Sequence, residues 1–192
     1  MTESNPSPQR RGVPLYAQII VWVLLIGLLV IVALQLKHTQ QGTAQPGQKV
    51  ENFDLTLFSG YEYQAKTNIH IADLRGKLVV LNFWASWCKP CEQEAANLKQ
   101  ASDFYAPSSD KVIFIGADYV DTEPEARVYL KKFGITYPNG PDLGTKISQY
   151  FRIQGVPETY FIDKNGVLQY VQIGPFTSLD QIKSIIDPML AE

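Results

Sequence analysis

The stretch Leu78-Val79-Val80-Leu81-Asn82-Phe83-Trp84-Ala85-Ser86-Trp87-Cys88-Lys89-Pro90-Cys91 runs a continuous apolar segment straight into a Cys-x-x-Cys pair. An apolar run without polar alternation is the pattern of a strand covered on both faces of a sheet, so Lys77 to Ala85 reads as a central strand. Pro90 fits the first turn of a following helix, where its missing N–H leaves no bond unmade. That helix is expected to reach about Tyr105, ahead of Pro107. A strand delivering two cysteines to a helix start is the layout of a dithiol that cycles with a disulfide. Both cysteines of the 192-residue chain lie here, so any intramolecular disulfide joins Cys88 to Cys91.

The spacing has a chemical reason. Cysteines three residues apart on a first helical turn bring their sulfurs close to bonding distance with little rearrangement. The free N–H groups and positive dipole end of the helix stabilise a thiolate. Cys88, nearer that end, is expected to be the exposed nucleophile, and Cys91, one turn in, the resolving thiol. Lys89 adds a positive charge beside Cys88 or simply points into water. Trp87 is expected to shield the disulfide, and Trp84 to belong to the core.

Outward from this centre the chain alternates strand and helix signals. Upstream, Phe53 to Leu57 alternates apolar and polar, as a half-buried strand does. A turn at Ser59-Gly60 leads to a second short strand around Tyr61–Tyr63, giving an extra N-terminal hairpin. Downstream, Val112 to Ala117 reads as a second buried strand. Thr122-Glu123-Pro124-Glu125 has the form of a capping box opening a helix that ends near Gly134. Leu143 to Tyr150 reads as a short helix. Thr159–Ile162 and Val167–Ile173 flank Asp163-Lys164-Asn165-Gly166, whose Asn-Gly signals a hairpin. A last helix opens at Ser178, with Leu179, Ile182, Ile185, Ile186 and Met189 as its apolar stripe.

The N-terminus carries a separate signal. Leu15 to Leu36 is uncharged over about 22 residues, roughly what a helix needs to span ~30 Å of hydrocarbon. Arg10 and Arg11 precede it and Lys37 and His38 follow, so the positive-inside bias favours a cytoplasmic N-terminus and an exported domain. A cleaved signal peptide would want a shorter apolar core and a better small-residue site than Gly42-Thr43-Ala44. The chain thus divides into a disordered tail at 1–14, a transmembrane anchor at 15–36, a polar tether at 37–48 and one domain at 49–192. Setting aside residues 1–38 removes Arg10, Arg11, Lys37 and Glu3 from 17 basic and 19 acidic residues. The remaining 14 and 18 leave a mildly acidic domain with no basic run, and hence no nucleic-acid footprint.

Two separated motifs carry a family resemblance. Phe83 to Cys91, and Gly155-Val156-Pro157-Glu158-Thr159-Tyr160-Phe161-Ile162-Asp163, resemble membrane-anchored thioredoxin-like proteins of the CcmG/DsbE, ResA and TlpA type over residues 48–190. The fold this implies is α/β, a thioredoxin-like sandwich. A central mixed sheet is flanked by helices in the order β-α-β-α-β-β-α, with the extra hairpin in front and one transmembrane helix before it.

By residue type alone Pro157 is an ordinary strand-start proline. The resemblance makes it a cis-proline that exposes the Val156 backbone for strand-like pairing with a cysteine-containing substrate. Asn82 stands where thioredoxin has a buried Asp. Glu94 matches an acidic residue near the active site of this type, and Glu158 resembles the CcmG form. A carboxyl beside a buried thiol can take or return its proton, which is the role expected of Glu94; the alternative is an exposed helix-surface Glu. Glu158 is expected to tune Cys88 or contact substrate, or else to be a solvent-facing strand residue.

The function implied is an extracytoplasmic protein-disulfide reductant that reduces apocytochrome c before haem attachment, or other oxidised exported clients. Its electrons would come from a membrane thiol–disulfide donor. No cofactor is expected beyond the redox-active Cys88–Cys91 disulfide. Other classes compete. A two-thiolate Cu(I) site would make the chain metallochaperone-like, but a zinc site would need ligands beyond His38 and His70. A thiol peroxidase wants a Thr three residues before its lone reactive Cys, where this chain has Ala85. A binding module with an incidental dithiol is the last alternative.

Overall fold

The computed structural model describes residues 14–40 and 44–191, with side chains of 35–40 outside the description. It separates into two units, residues 1–42 and 43–192. The first holds one helix, α1 (Leu15–Gln40). Its segment Leu15–Leu34 is long and apolar enough to cross a membrane, and none of it is buried. A helix apolar on all sides fits a lipid environment better than an aqueous one.

The second unit is built on a five-stranded sheet in the order β5-β4-β3-β6-β7. Its central strand β3 (Leu78–Trp84) is buried at every residue. It runs parallel to β4 (Val112–Asp118), which is parallel to the short edge strand β5 (Asn139–Pro141). On its other side β3 is antiparallel to β6 (Glu158–Ile162), and β6 to β7 (Leu168–Ile173). The helices are α2 (Lys89–Tyr105), α3 (Glu123–Lys132), α4 (Lys146–Phe151) and α5 (Leu179–Ala191).

Period-two alternation on β3 and β4 sorts the core into two faces. Leu78, Val80 and Trp84 pack with Cys91, Leu98, Tyr129 and Ile182 of α2, α3 and α5. Val79, Leu81 and Phe83 pack with Leu55, Ile69, Phe151 and Tyr160 on the other. Each large side chain so buried contributes roughly 1.5–3 kcal/mol.

Several expectations are corrected. The N-terminal hairpin exists, but β1 (Asp54–Thr56) pairs with β2 (Asn68–His70), not with Tyr61–Tyr63. Tyr61 lies instead in a turn, its N–H donating to the Phe58 carbonyl. Of the expected tether at 37–48, residues up to Gln40 continue α1, and Ala44 and Gly47 make backbone bonds to later segments of the chain. Ala44 N donates to Tyr150 O, and Gly47 N to Leu168 O at 2.7 Å. The first satisfies a carbonyl near the end of α4 and the second one on the edge strand β7, pairings that polar composition does not disclose. Thr122 and Glu125 bond each other side chain to side chain at 2.9 Å, and Thr122 makes no side-chain cap to the backbone. The expected tail at 1–14 falls, except for Pro14, outside the described residues.

β5 was not foreseen at all. Pro138-Asn139-Gly140-Pro141 reads as turn chemistry. Gly140 is there because a Cβ would lie 2.0 Å from the Thr56 carbonyl oxygen. At the edge, β5 can tolerate the prolines that a central strand could not.

Candidate active site

Cys88 and Cys91 are joined in a disulfide with their Cα atoms 5.3 Å apart. Cys88 is the N-cap of α2, and its Sγ accepts the Cys91 N–H at 3.1 Å. The same N–H would face a thiolate once the bond opens, adding a charge-assisted hydrogen bond to the dipole contribution of about 0.3–1 kcal/mol. Cys88 was expected to be exposed, yet in this oxidised form only 3 % of it is accessible, against none of Cys91. Cys88 belongs to the core cluster, and the Val156 carbonyl lies 3.3 Å from its sulfur. The Val156–Pro157 bond is cis.

Trp87 is largely exposed, and its indole N–H donates to the Val120 carbonyl at 3.2 Å. A cavity of about 440 Å³ opens beside it, lined by Ser86, Trp87, Pro124, Val128 and Tyr129. Trp84 is core. It stacks on Tyr129 with centroids 4.5 Å apart and donates to the Asn139 side-chain oxygen at 2.9 Å. Lys89 points outward to Glu92.

Glu94 is buried rather than a helix-surface residue, with 1 % exposed. Its carboxylate accepts from the Asn82 amide at 2.8 Å and from the Phe176 backbone N–H at 3.1 Å. Desolvation outweighs those two bonds and lifts its pKa from 4.5 to about 7. Asn82 also donates to Thr159 Oγ1 at 3.0 Å, tying β3 to β6 under the disulfide. An Asp at 82 would put a second acid against Glu94; the neutral amide serves instead as its donor.

Glu158 is buried too, not solvent-facing. One carboxylate oxygen accepts from Gln154 N at 2.8 Å, the other from the Tyr160 hydroxyl at 2.7 Å. The carboxylate thereby closes the loop Gln154–Glu158, which carries Val156 and Pro157. Both oxygens are engaged within the protein, so direct contact with substrate is not what this geometry offers.

Sequence reasoning missed three contributors. Tyr129 donates its hydroxyl to the Cys91 carbonyl at 2.8 Å. The Phe176 amide reaches Glu94 from a distant segment. Asp121 accepts the Ser86 N–H at 2.6 Å and so holds the turn before Cys88. Only Asp121 leaves a trace in the sequence, as an acid just before a helix start. Of the histidines, His70 contacts Asp54, and the side chain of His38 lies outside the described residues. Among the described residues no three His, Cys, Asp or Glu side chains converge as a metal site.

The geometry has known counterparts. The sequence model of the AhpC/TSA family matches residues 46–171. The thiol-disulfide oxidoreductase ResA of Bacillus cereus is 33 % identical over 133 residues, covering 69 % of this chain and 72 % of ResA. The thiol:disulfide interchange protein HelX of Rhodobacter capsulatus is 38 % identical over 122 residues, covering 62 % and 65 %. Among solved structures, a thioredoxin-family thiol:disulfide interchange protein of Chlorobium tepidum superposes with a TM-score of 0.63 at 28 % identity, covering 77 % of this chain and 98 % of its own. StoA of Bacillus subtilis shares the fold, with a TM-score of 0.60 at 22 % identity over 77 % of this chain and 100 % of its own. With its dithiol at a helix start and a cis-proline facing it, the chain belongs to the AhpC/TSA family and is a thioredoxin-like thiol–disulfide oxidoreductase.

Proposed function

We propose that the protein is a membrane-anchored reductant of disulfides in exported proteins, apocytochrome c among them, with its N-terminus cytoplasmic and its thioredoxin-like domain outside. The observation that carries the reductant reading is the buried Glu94, whose pKa of about 7 lets it exchange a proton near neutrality. Position supports the same role, since Glu94 lies one helical turn beyond Cys91 on the buried face of α2. The apolar α1 supplies the anchor.

Reduced Cys88, as thiolate, attacks one sulfur of the client disulfide. A mixed disulfide forms, and the other client sulfur leaves as a thiolate and takes up a proton. Glu94 accepts the proton of Cys91, whose sulfur then attacks Cys88 Sγ. The mixed disulfide breaks, the client's second sulfur leaves as a thiolate that takes the proton held by Glu94, and the client departs as a dithiol; the Cys88–Cys91 disulfide remains for a membrane thiol donor to reduce. The Val156 backbone and Trp87 flank the attacking sulfur, where an extended client segment would pair.

The test is the reduction potential of Cys88–Cys91, equilibrated in dithiothreitol or glutathione buffers, together with reduction of an oxidised Cys-x-x-Cys-His peptide. A value below about −200 mV with peptide turnover supports the reading; one near the −120 mV of a strong oxidant overturns it in favour of a disulfide donor.

A further inference from the structure

The proposed chemistry leaves the buried acid Asp118 unused. Asp118, the last residue of β4, is fully buried, and among the described residues no N–H or hydroxyl donor reaches either carboxyl oxygen. It pairs in register with Trp84, just before the active-site turn. Three residues on lies Asp121, 8 % exposed, whose Oδ2 accepts from Ser86 N at 2.6 Å and Oδ1 from Thr122 N at 2.7 Å. Asp121 thus bridges the turn before Cys88 and the start of α3.

The Asp118 carboxyl lies within side-chain hydrogen-bonding reach of Asp121; as two carboxylates they have no hydrogen to share and repel one another, and with one proton between them they bond. Asp121 already receives two N–H bonds, from Ser86 and Thr122. Asp118 receives none, so its charged form would be buried and unsolvated, at a cost of several kcal/mol. The proton therefore resides on Asp118.

We propose that Asp118 and Asp121 are a one-proton carboxyl pair that positions the Cys88 turn: Asp118 carries the proton and donates it to Asp121, and the charged Asp121 holds the Ser86 amide. Burial, then the charge of Asp121, raise the pKa of Asp118 to about 8. When Asp118 ionises, repulsion drives the two carboxylates apart and the Ser86 bond lengthens. The lock is closed at neutral pH and opens in alkali.

The other titratable groups around the pair have partners of their own. Asp142, after β5, accepts from the Ile147 and Ser148 amides. On α3, Tyr129 bonds the Cys91 carbonyl. On α2, Glu94 is held by Asn82 and Phe176, and Glu92 pairs with Lys132 of α3.

The test uses the oxidised full-length chain in lipid nanodiscs, so that neither cysteine titrates. The Ser86 amide proton resonance is followed from pH 6 to 9.5. The expected result is an inflection near 8 that Asp118→Asn abolishes, because the amide donates to Asp121 at every pH, and that Glu94→Gln leaves in place. No inflection in the wild type, persistence in Asp118→Asn, or loss in Glu94→Gln would each overturn the proposal. Should Asp118→Asn not fold, the carboxyl ¹³C signals of the wild type decide. Asp118 and Asp121 reporting one shared inflection supports the pair, and Asp118 ionised throughout defeats it.

Discussion

At the scale of single residues, burial decides what each acid does. Glu94 reads from sequence as either a helix-surface residue or a proton carrier, and the fold settles its burial by bringing Asn82 and Phe176 to it. Its raised pKa fixes a sign for stability. Between about 4.5 and 7 the folded state holds a proton that the unfolded chain has released, so stability falls as pH rises through that window. The loss is on the order of 3 kcal/mol, at roughly 1.4 kcal/mol per pKa unit. Glu94→Gln should flatten this part of the pH–stability curve in denaturant titrations, and slow disulfide exchange by about 10²-fold or more near pH 7.

Glu158 should behave differently. Gln can still accept from Gln154 N and donate to the Tyr160 oxygen, so Glu158→Gln should cost under about 1 kcal/mol. Glu158→Ala removes the acceptor of the Gln154 N–H and leaves the Tyr160 hydroxyl only the Phe151 carbonyl at 3.2 Å, and should cost about 1–3 kcal/mol, measurable as a shift in urea midpoint. Equal damage from both would mean that the charge itself matters.

At the scale of elements, the strand-to-helix unit β3–α2 was legible because both ends are marked by local chemistry: an apolar run on one side, a Cys N-cap and Pro90 on the other. The pairing of β1 was not legible. Ser59-Gly60 makes a real turn, but the partner strand comes after a second turn, and short strands of similar composition compete for the same register. β5 escaped for the opposite reason, as its turn-like residues are in a strand only because β4 lies alongside. Gly116 in β4 tests that neighbourhood. A Cβ there would sit 1.7 Å from Asn139 Oδ1 and 2.8 Å from Trp84 Nε1. Gly116→Ala should displace Asn139, break its bond to Trp84 and destabilise the domain by about 1–3 kcal/mol, visible as a lower thermal midpoint.

At the scale of the whole molecule, the anchor and the domain are separate problems. Among the described residues, the domain's first backbone bond begins at Ala44. A chain starting at Ala44 should therefore remain soluble and keep the reduction potential of the full-length protein, whereas the full chain should stay with membranes through an alkaline carbonate wash. A change in potential on removing α1 would show that the two units are coupled.

What the sequence determined by itself was local: the apolar length of α1, the covered strand β3, the dithiol at a helix start and the proline ahead of β6. Each rests on properties of contiguous residues, namely hydropathy period, capping and turn chemistry. What only the tertiary structure decided was which acids are dry and which backbone groups face the sulfurs. Glu94 meets Phe176 across 82 positions, and Cys88 meets Val156 across 68. Desolvation and hydrogen bonding over such separations depend on packing that no local pattern encodes.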